Sequence, residues 1–177
     1  MGGNIISIDP LYGFSPSTIA LRINETCDKV IEQTTNNYHM FKWDKIPNVM
    51  HLKSIRMAAM NYFLEDFTHN RNHYVTGALP NLPFAASSFD LALCSHYLFL
   101  YSEQFSADFH IQAIYDLCRV AHEVGIFPLV DLEGNVSPHL DLIIHELGKR
   151  FQIHKVKVDY EFQKNADTML KISPQNN

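Results

Sequence analysis

Apolar positions along the chain change period several times, and each change marks an element. Ile5, Ile6, Ser7 and Ile8 form a short β-branched run stopped by Asp9-Pro10, the signature of a buried strand. Ser15-Pro16 supplies an N-cap with proline in the first turn. Ile19, Ile23, Val30 and Ile31 then share one face of a predicted helix reaching about Asn36. After an irregular stretch broken by Pro47, the residues Val49, Leu52, Ile55, Met60, Phe63, Leu64 and Phe67 predict a second amphipathic helix ending near His69-Asn70. Tyr74-Val75-Thr76 is a short strand candidate bounded by Gly77 and Pro80.

The second half is more regular. Phe89 to Ser95 is almost wholly apolar, which predicts a strand buried on both faces. A helix follows from about Ala107 to His122, then a strand from Val124 to Val130 interrupted by Pro128. Ser137-Pro138 opens another helix through Leu147, and Phe151 to Val158 and Thr168 to Ile172 read as two final strands before a frayed tail from Ser173. Strands alternating with helices predict a parallel sheet covered by helices on both faces. The last two strands are joined too closely for a parallel crossover, so they form an antiparallel pair.

The length of 177 residues fits one domain, 1–177, with an ordinary apolar content of 46%. A net charge of −5 argues against a phosphate-tracking surface, so nucleic acid is not an expected partner. Cys27, Cys94 and Cys118 are widely spaced and read as reduced thiols. No apolar run is long enough for a membrane span and no signal peptide is legible at the start, so the expected location is cytoplasmic. The ten histidines include no HxH or HExxH spacing, and no metal site is predicted.

Several stretches, taken together, resemble the S-adenosylmethionine-dependent methyltransferases of the Rossmann-like class. Ile-Ile-Ser-Ile-Asp-Pro (5–10) resembles the family's second strand, and Leu-Pro-Phe-Ala-Ala-Ser-Ser-Phe-Asp-Leu-Ala-Leu (82–93) resembles the approach to its fourth. Arg-Val-Ala-His-Glu-Val-Gly-Ile-Phe-Pro-Leu (119–129) resembles its fifth strand and the helix end before it. The run Val158-Asp-Tyr-Glu-Phe-Gln163, with Met169-Leu170, is similar to the closing strands of a bacterial methyltransferase-like subgroup. The resemblance implies a mostly parallel sheet finished by an antiparallel hairpin, and methyl transfer from S-adenosylmethionine to a small-molecule or other acceptor. Such a reaction is an in-line displacement in which positioning supplies much of the rate, so no catalytic residue is implied.

The resemblance also implies cofactor contacts. Asp9, followed by Pro10, stands where a carboxylate would bond the ribose hydroxyls, although an Asp-Pro turn needs no ligand. Ala78 and Leu79 stand where related enzymes often carry an acidic residue for the adenine amino group; here backbone groups would have to replace it. Ser95 and His96 follow the fourth strand at the ligand edge, where His96 is a base, a substrate contact or a capping residue. Tyr97, Phe99, Tyr101 and Phe105 either stack a flat substrate or fill the core. Asp131, Asp141, Glu161 and Gln163 either line the same edge or are solvated.

One family feature is missing. The glycine-rich turn after the first strand, which admits the methionine end of the cofactor, has no counterpart among the seven glycines; Gly2-Gly3 precede the second strand. That first strand is central in the family's sheet, and without it two edges lose their partners. Three arrangements would answer this: direct pairing of the edges, a homodimer that covers them with a borrowed strand, or a longer chain of which residues 1–177 are part. The last is the expectation adopted, with methyl transfer absent from the 177 residues alone. A methyltransferase-like binding or assembly module without catalysis is the alternative.

Overall fold

In the computed structural model, which describes residues 4–175, the chain divides into two compact units, residues 1–78 and 79–177. In the first unit, the strand β1 is limited to Ser7–Ile8 and pairs in parallel with β2, Tyr74–Val75. The apolar run is thus shorter as a strand than its sequence suggests, and Ile5 is 78% exposed rather than buried. Ser15 caps the next helix by accepting the Thr18 N–H at 3.1 Å, with Pro16 in the first turn. That helix, α1, runs Pro16–Asn36, and α2 runs Val49–His69 after Asn48 accepts the His51 N–H at 2.9 Å.

The core of this unit is aromatic. Tyr12, Phe63, Phe67 and Tyr74 lie with ring centroids 5.1 to 6.0 Å apart, several of them edge to face. The Arg71 guanidinium lies 4.0 Å from the centre of the Phe67 ring and donates to the Tyr12 carbonyl at 3.1 Å. The Tyr74 hydroxyl donates to Asp66, which with the Asn70 amide holds that carboxyl below the usual range.

The second unit is a four-stranded sheet in the order β3-β4-β6-β5, with β3 at Phe89–Ser95, β4 at Ala121–Phe127, β5 at Phe151–Lys157 and β6 at Thr168–Pro174. β3 and β4 are parallel, and β6 runs antiparallel to both β4 and β5, so three of the four strands share one direction. Two helices, α3 at Ala107–Val120 and α4 at Leu140–Leu147, pack on each other and against the strands. Ile114, Ile143 and Leu147 from the helices meet Val124, Ile126, Leu170 and Ile172 from the strands, and all are essentially inaccessible. In β6, Leu170 and Ile172 alternate with half-buried neighbours, as one covered face requires, while Gly125 between Val124 and Ile126 is buried under the Leu93 and Met169 side chains.

Four sequence expectations change here. β3 ends the sheet order among the described residues, and Leu91 and Leu93, on a face that is not covered, are 48% and 68% exposed instead of buried. Within this unit, α3 and α4 cover one face of the sheet, and the face carrying Leu91, Leu93, Gly125 and Met169 has no helix of the unit against it. α3 stops at Val120, because Ala121 is already extended at φ −132° and ψ 151°; the helix passes straight into β4, and Pro128, which has no N–H to donate, ends that strand. Ser173 and Pro174 are not frayed but pair with Gln152 and Phe151, while Met1–Gly3 and Asn176–Asn177 lie outside the described residues.

The Leu-Pro-Phe segment before β3 is clamped from α3. Asp116 accepts the Leu82 N–H at 2.6 Å and the Arg119 Nε–H at 2.7 Å, while Arg119 donates to the carbonyls of Phe84 at 2.6 Å and Leu82 at 3.0 Å. One charged pair therefore satisfies three backbone groups of an otherwise irregular segment. Two stability predictions follow from these contacts. Ile172→Ala, deep between strands and helices, should lower unfolding free energy by about 2–5 kcal/mol in denaturant titration. Asp116→Ala, which strands the Leu82 N–H and unpairs Arg119, should cost about 2 kcal/mol in the same assay.

Candidate functional site

The expected site residues divide between the two units: Asp9, Pro10 and Ala78 belong to the first, Leu79, Ser95 and His96 to the second. In the first unit, Asp9 follows β1 directly, and its N–H donates to the Val75 carbonyl at 3.2 Å. Because β1 and β2 are parallel, Asp9 and the segment leading to Ala78 leave the same end of the pair. The Asp9 carboxylate is half-buried and caps a short 3-10 turn through Pro10, its Oδ1 accepting the Leu11 N–H at 2.7 Å. This is the ligand-independent Asp-Pro turn weighed from the sequence, and it leaves Oδ2 as a further acceptor.

In the second unit, Ser95 and His96 stand at the carboxyl end of β3. The Ser95 Oγ and His96 Nδ1 are 2.7 Å apart, which orients the imidazole and leaves its Nε2 on the far side of the ring. His96 has φ +54°, a left-handed conformation uncommon for a side-chain-bearing residue, held by its N–H donating to the Phe127 carbonyl at 2.6 Å. Its ring meets Phe127 at 5.4 Å and Tyr160 at 6.4 Å, and these two are 6.0 Å apart. A serine, an imidazole and two aromatic rings from three segments thus share the strand ends. Phe127 and Tyr160 lie within the stretches quoted for the resemblance but were not among the expected site residues; the β3–β4 register brings Phe127 to His96, and Tyr160 reaches it from the segment after β5.

The other aromatic candidates separate. Phe99 is fully buried and stacks near His110 at 5.4 Å, while Phe105, half-buried, stacks on Phe109 at 4.5 Å. Tyr97 is half-buried beside Phe105 at 5.1 Å, and Tyr101 is at the surface. Asp131 builds a loop: its Oδ1 accepts the N–H groups of Glu133 and Asn135, both at 2.9 Å, around Gly134 at φ +83°. Gln163 donates to the Asp131 carbonyl at 2.9 Å, and Glu161 accepts the Asn165 N–H at 2.9 Å. Asp141 is exposed at the start of α4, 4.0 Å from Lys155. Among the described residues, no three His, Cys, Asp or Glu side chains gather as a metal site, and no helix is long and apolar enough to cross a membrane.

The loop after β3 is pinned from below by His110, which the sequence did not distinguish from the other histidines. Fully buried, it places Nδ1 2.8 Å from the Ser106 carbonyl and Nε2 3.0 Å from the Leu98 carbonyl. A neutral imidazole can donate to one of them at a time. Burial holds its pKa below the usual histidine range; the two carbonyls oppose this, and His139, with its ring 5.3 Å away, adds to the lowering. Burial also pushes the thiols of Cys94 and Cys118 up to about 11 and about 12, so both are protonated and poorly nucleophilic near neutral pH.

No family model matches the chain, and no solved structure does. An uncharacterized protein of Methanocaldococcus jannaschii is 31% identical over 172 residues, covering 97% of this chain and 76% of the archaeal one. The chain belongs to that protein's family. The match takes in both units, so β1 with Asp9 and the β3–β4 strand ends fall together within the shared length.

The depressed His110 pKa gives a pH prediction. The folded state binds its proton less readily than the unfolded chain, so the stabilisation is present above the ordinary histidine pKa and is lost as pH falls below it. Thermal melts of wild type and His110→Gln at pH 7.5 and about pH 5.5 should show a larger acid-induced drop for wild type, because the variant lacks this titrating group.

Proposed function

We propose that the chain carries a methyltransferase-like domain of the S-adenosylmethionine-dependent, Rossmann-like class, with Asp9 facing a ribose and the Ser95-His96 strand end facing a methyl acceptor. The observation that carries this reading is the strand arrangement: parallel β3 and β4 closed by the antiparallel pair β6 and β5, the architecture that the resemblance implies. A left-handed residue and a side-chain cluster at the carboxyl ends of β3 and β4 stand where open α/β sheets bind ligands.

The cofactor fits the 177 residues only in part. Asp9 keeps a carboxylate oxygen for a ribose hydroxyl, and the backbone near Ala78 and Leu79 offers donors and acceptors for an adenine edge. For the methionine end there is no glycine-rich strand turn among residues 1–177, and β3 ends the order of its sheet with no strand beyond it among the described residues. The reading therefore assigns no methyl-transfer step to these residues alone. The same observations, with Asp9 already serving its own turn, favour a second reading, a binding or assembly module that keeps the fold without the reaction.

Calorimetric titration with S-adenosylhomocysteine separates the two. The expected result is no saturable heat from the 177-residue protein and saturable binding by the archaeal relative at its full length. Silence from both would leave the module as the function. Saturable binding by the 177-residue protein would overturn the part-fit argument; Asp9→Asn should then weaken affinity by about tenfold, the effect of losing one charge-assisted hydrogen bond.

A further inference from the structure

We propose that β3 is a self-pairing edge, through which two copies of the 177-residue chain join their four-stranded sheets about a two-fold axis at Ala92. The first support is backbone direction. With Ser95 in register with Phe127 and the His96 N–H bonded to the Phe127 carbonyl, the even-numbered residues of β3 turn their peptide groups toward β4. Leu91 and Leu93 turn theirs to the side where β3 has no strand among the described residues. The register of Leu91 through Ser95 against Glu123 through Phe127 is unbroken, so no bulge twists this edge away.

The second support is the sequence of the edge. Leu91-Ala92-Leu93 is a palindrome, and a two-fold interface needs a surface complementary to itself. An antiparallel second copy centred on Ala92 sets each Leu91 opposite the other copy's Leu93, with the outward N–H and C=O groups of both meeting as hydrogen-bonded pairs. Ala92 faces Ala92 across the axis. Asp90 faces Cys94, so no like charges are opposed.

The third support is contrast with the other edge of the same sheet. β5 carries Lys155 and Lys157 with Gln152 and His154, the charged and polar guard that discourages edge pairing. β3 carries no lysine, arginine or proline, and its two leucines lie exposed on one face, with the Leu93 side chain reaching across Gly125 beside Met169. Pairing sets Leu91 and Leu93 side by side across the junction and removes apolar surface from water.

Light scattering over a concentration series tests the proposal, with a mass of about twice the 20.4 kDa chain expected at the upper end. Leu93→Pro deletes an outward N–H that β4 does not use and should raise the dimer dissociation constant at least about tenfold. Leu93→Lys, an exposed position that tolerates charge, should do the same, so a folding failure of the proline variant leaves the test intact. In a Cys27→Ser background, Ala92→Cys should cross-link as a dimer on mild oxidation, since a non-hydrogen-bonded pair sets the Cα atoms about 4.5 Å apart, within disulfide reach. A monomer at every concentration, disperse larger assemblies, a dimer indifferent to both Leu93 variants, or Ala92→Cys chains that stay unlinked would each overturn it.

Discussion

β6 runs antiparallel between β4 and β5, and the second unit depends on that insertion. It provides the middle of the hydrogen-bond ladder, pairing Val124 with Ile172 on one side and Ile153 with the same residue on the other. Without it β4 and β5 would have no common partner, and the fully buried Leu170 and Ile172 would leave α3 and α4 nothing to pack against. Because side chains alternate along each strand, the same register sends Met169 and Lys171 to the opposite face, where Lys171 pairs with Glu123. One strand thus fixes which face is core and which is open.

The strand ends inherit this order. The Phe127 carbonyl, at the end of β4 just before Pro128, accepts the His96 N–H as the last rung of the β3–β4 ladder and holds that residue in its left-handed turn. The loop beyond is fastened by internal hydrogen bonds: His110 beneath Leu98, and Ser102 bonded to Ser137 at 2.6 Å across to the start of α4. Asp116 and Arg119 do the same for the Leu-Pro-Phe segment that enters β3. These polar contacts make an irregular backbone specific, because each carbonyl or N–H taken out of water without a partner would be costly.

The first unit is built differently. Its two-residue strands make a ladder too short to stand by itself, and its cohesion comes from Tyr12, Phe63, Phe67 and Tyr74 with Arg71 across them. The helices α1 and α2 leave an apolar cleft of about 290 Å³ between them, lined by Ile23, Val30, Ile31 and Met57 among others. Both units therefore present apolar surface: the second an edge whose backbone specifies a strand as partner, the first a cleft with no comparable specification. The methyltransferase reading and the self-pairing edge draw on the same strand, one through its carboxyl end and the other through its open side.

Periodicity along the chain determined the helices, most strand positions and the antiparallel closing pair, because local hydrophobic spacing and Ser-Pro helix starts act within a few residues. It placed Asp9, Ser95 and His96 at strand ends for the same reason. It could not determine that β3 lies at an edge, that α3 and α4 share one face, or that Phe127 and Tyr160 meet His96. An apolar strand reads alike whether a neighbour is present or not, and cross-strand register is set by partners distant in sequence. His110 was one histidine among ten until packing took it out of water, and burial, not residue type, sets its proton affinity.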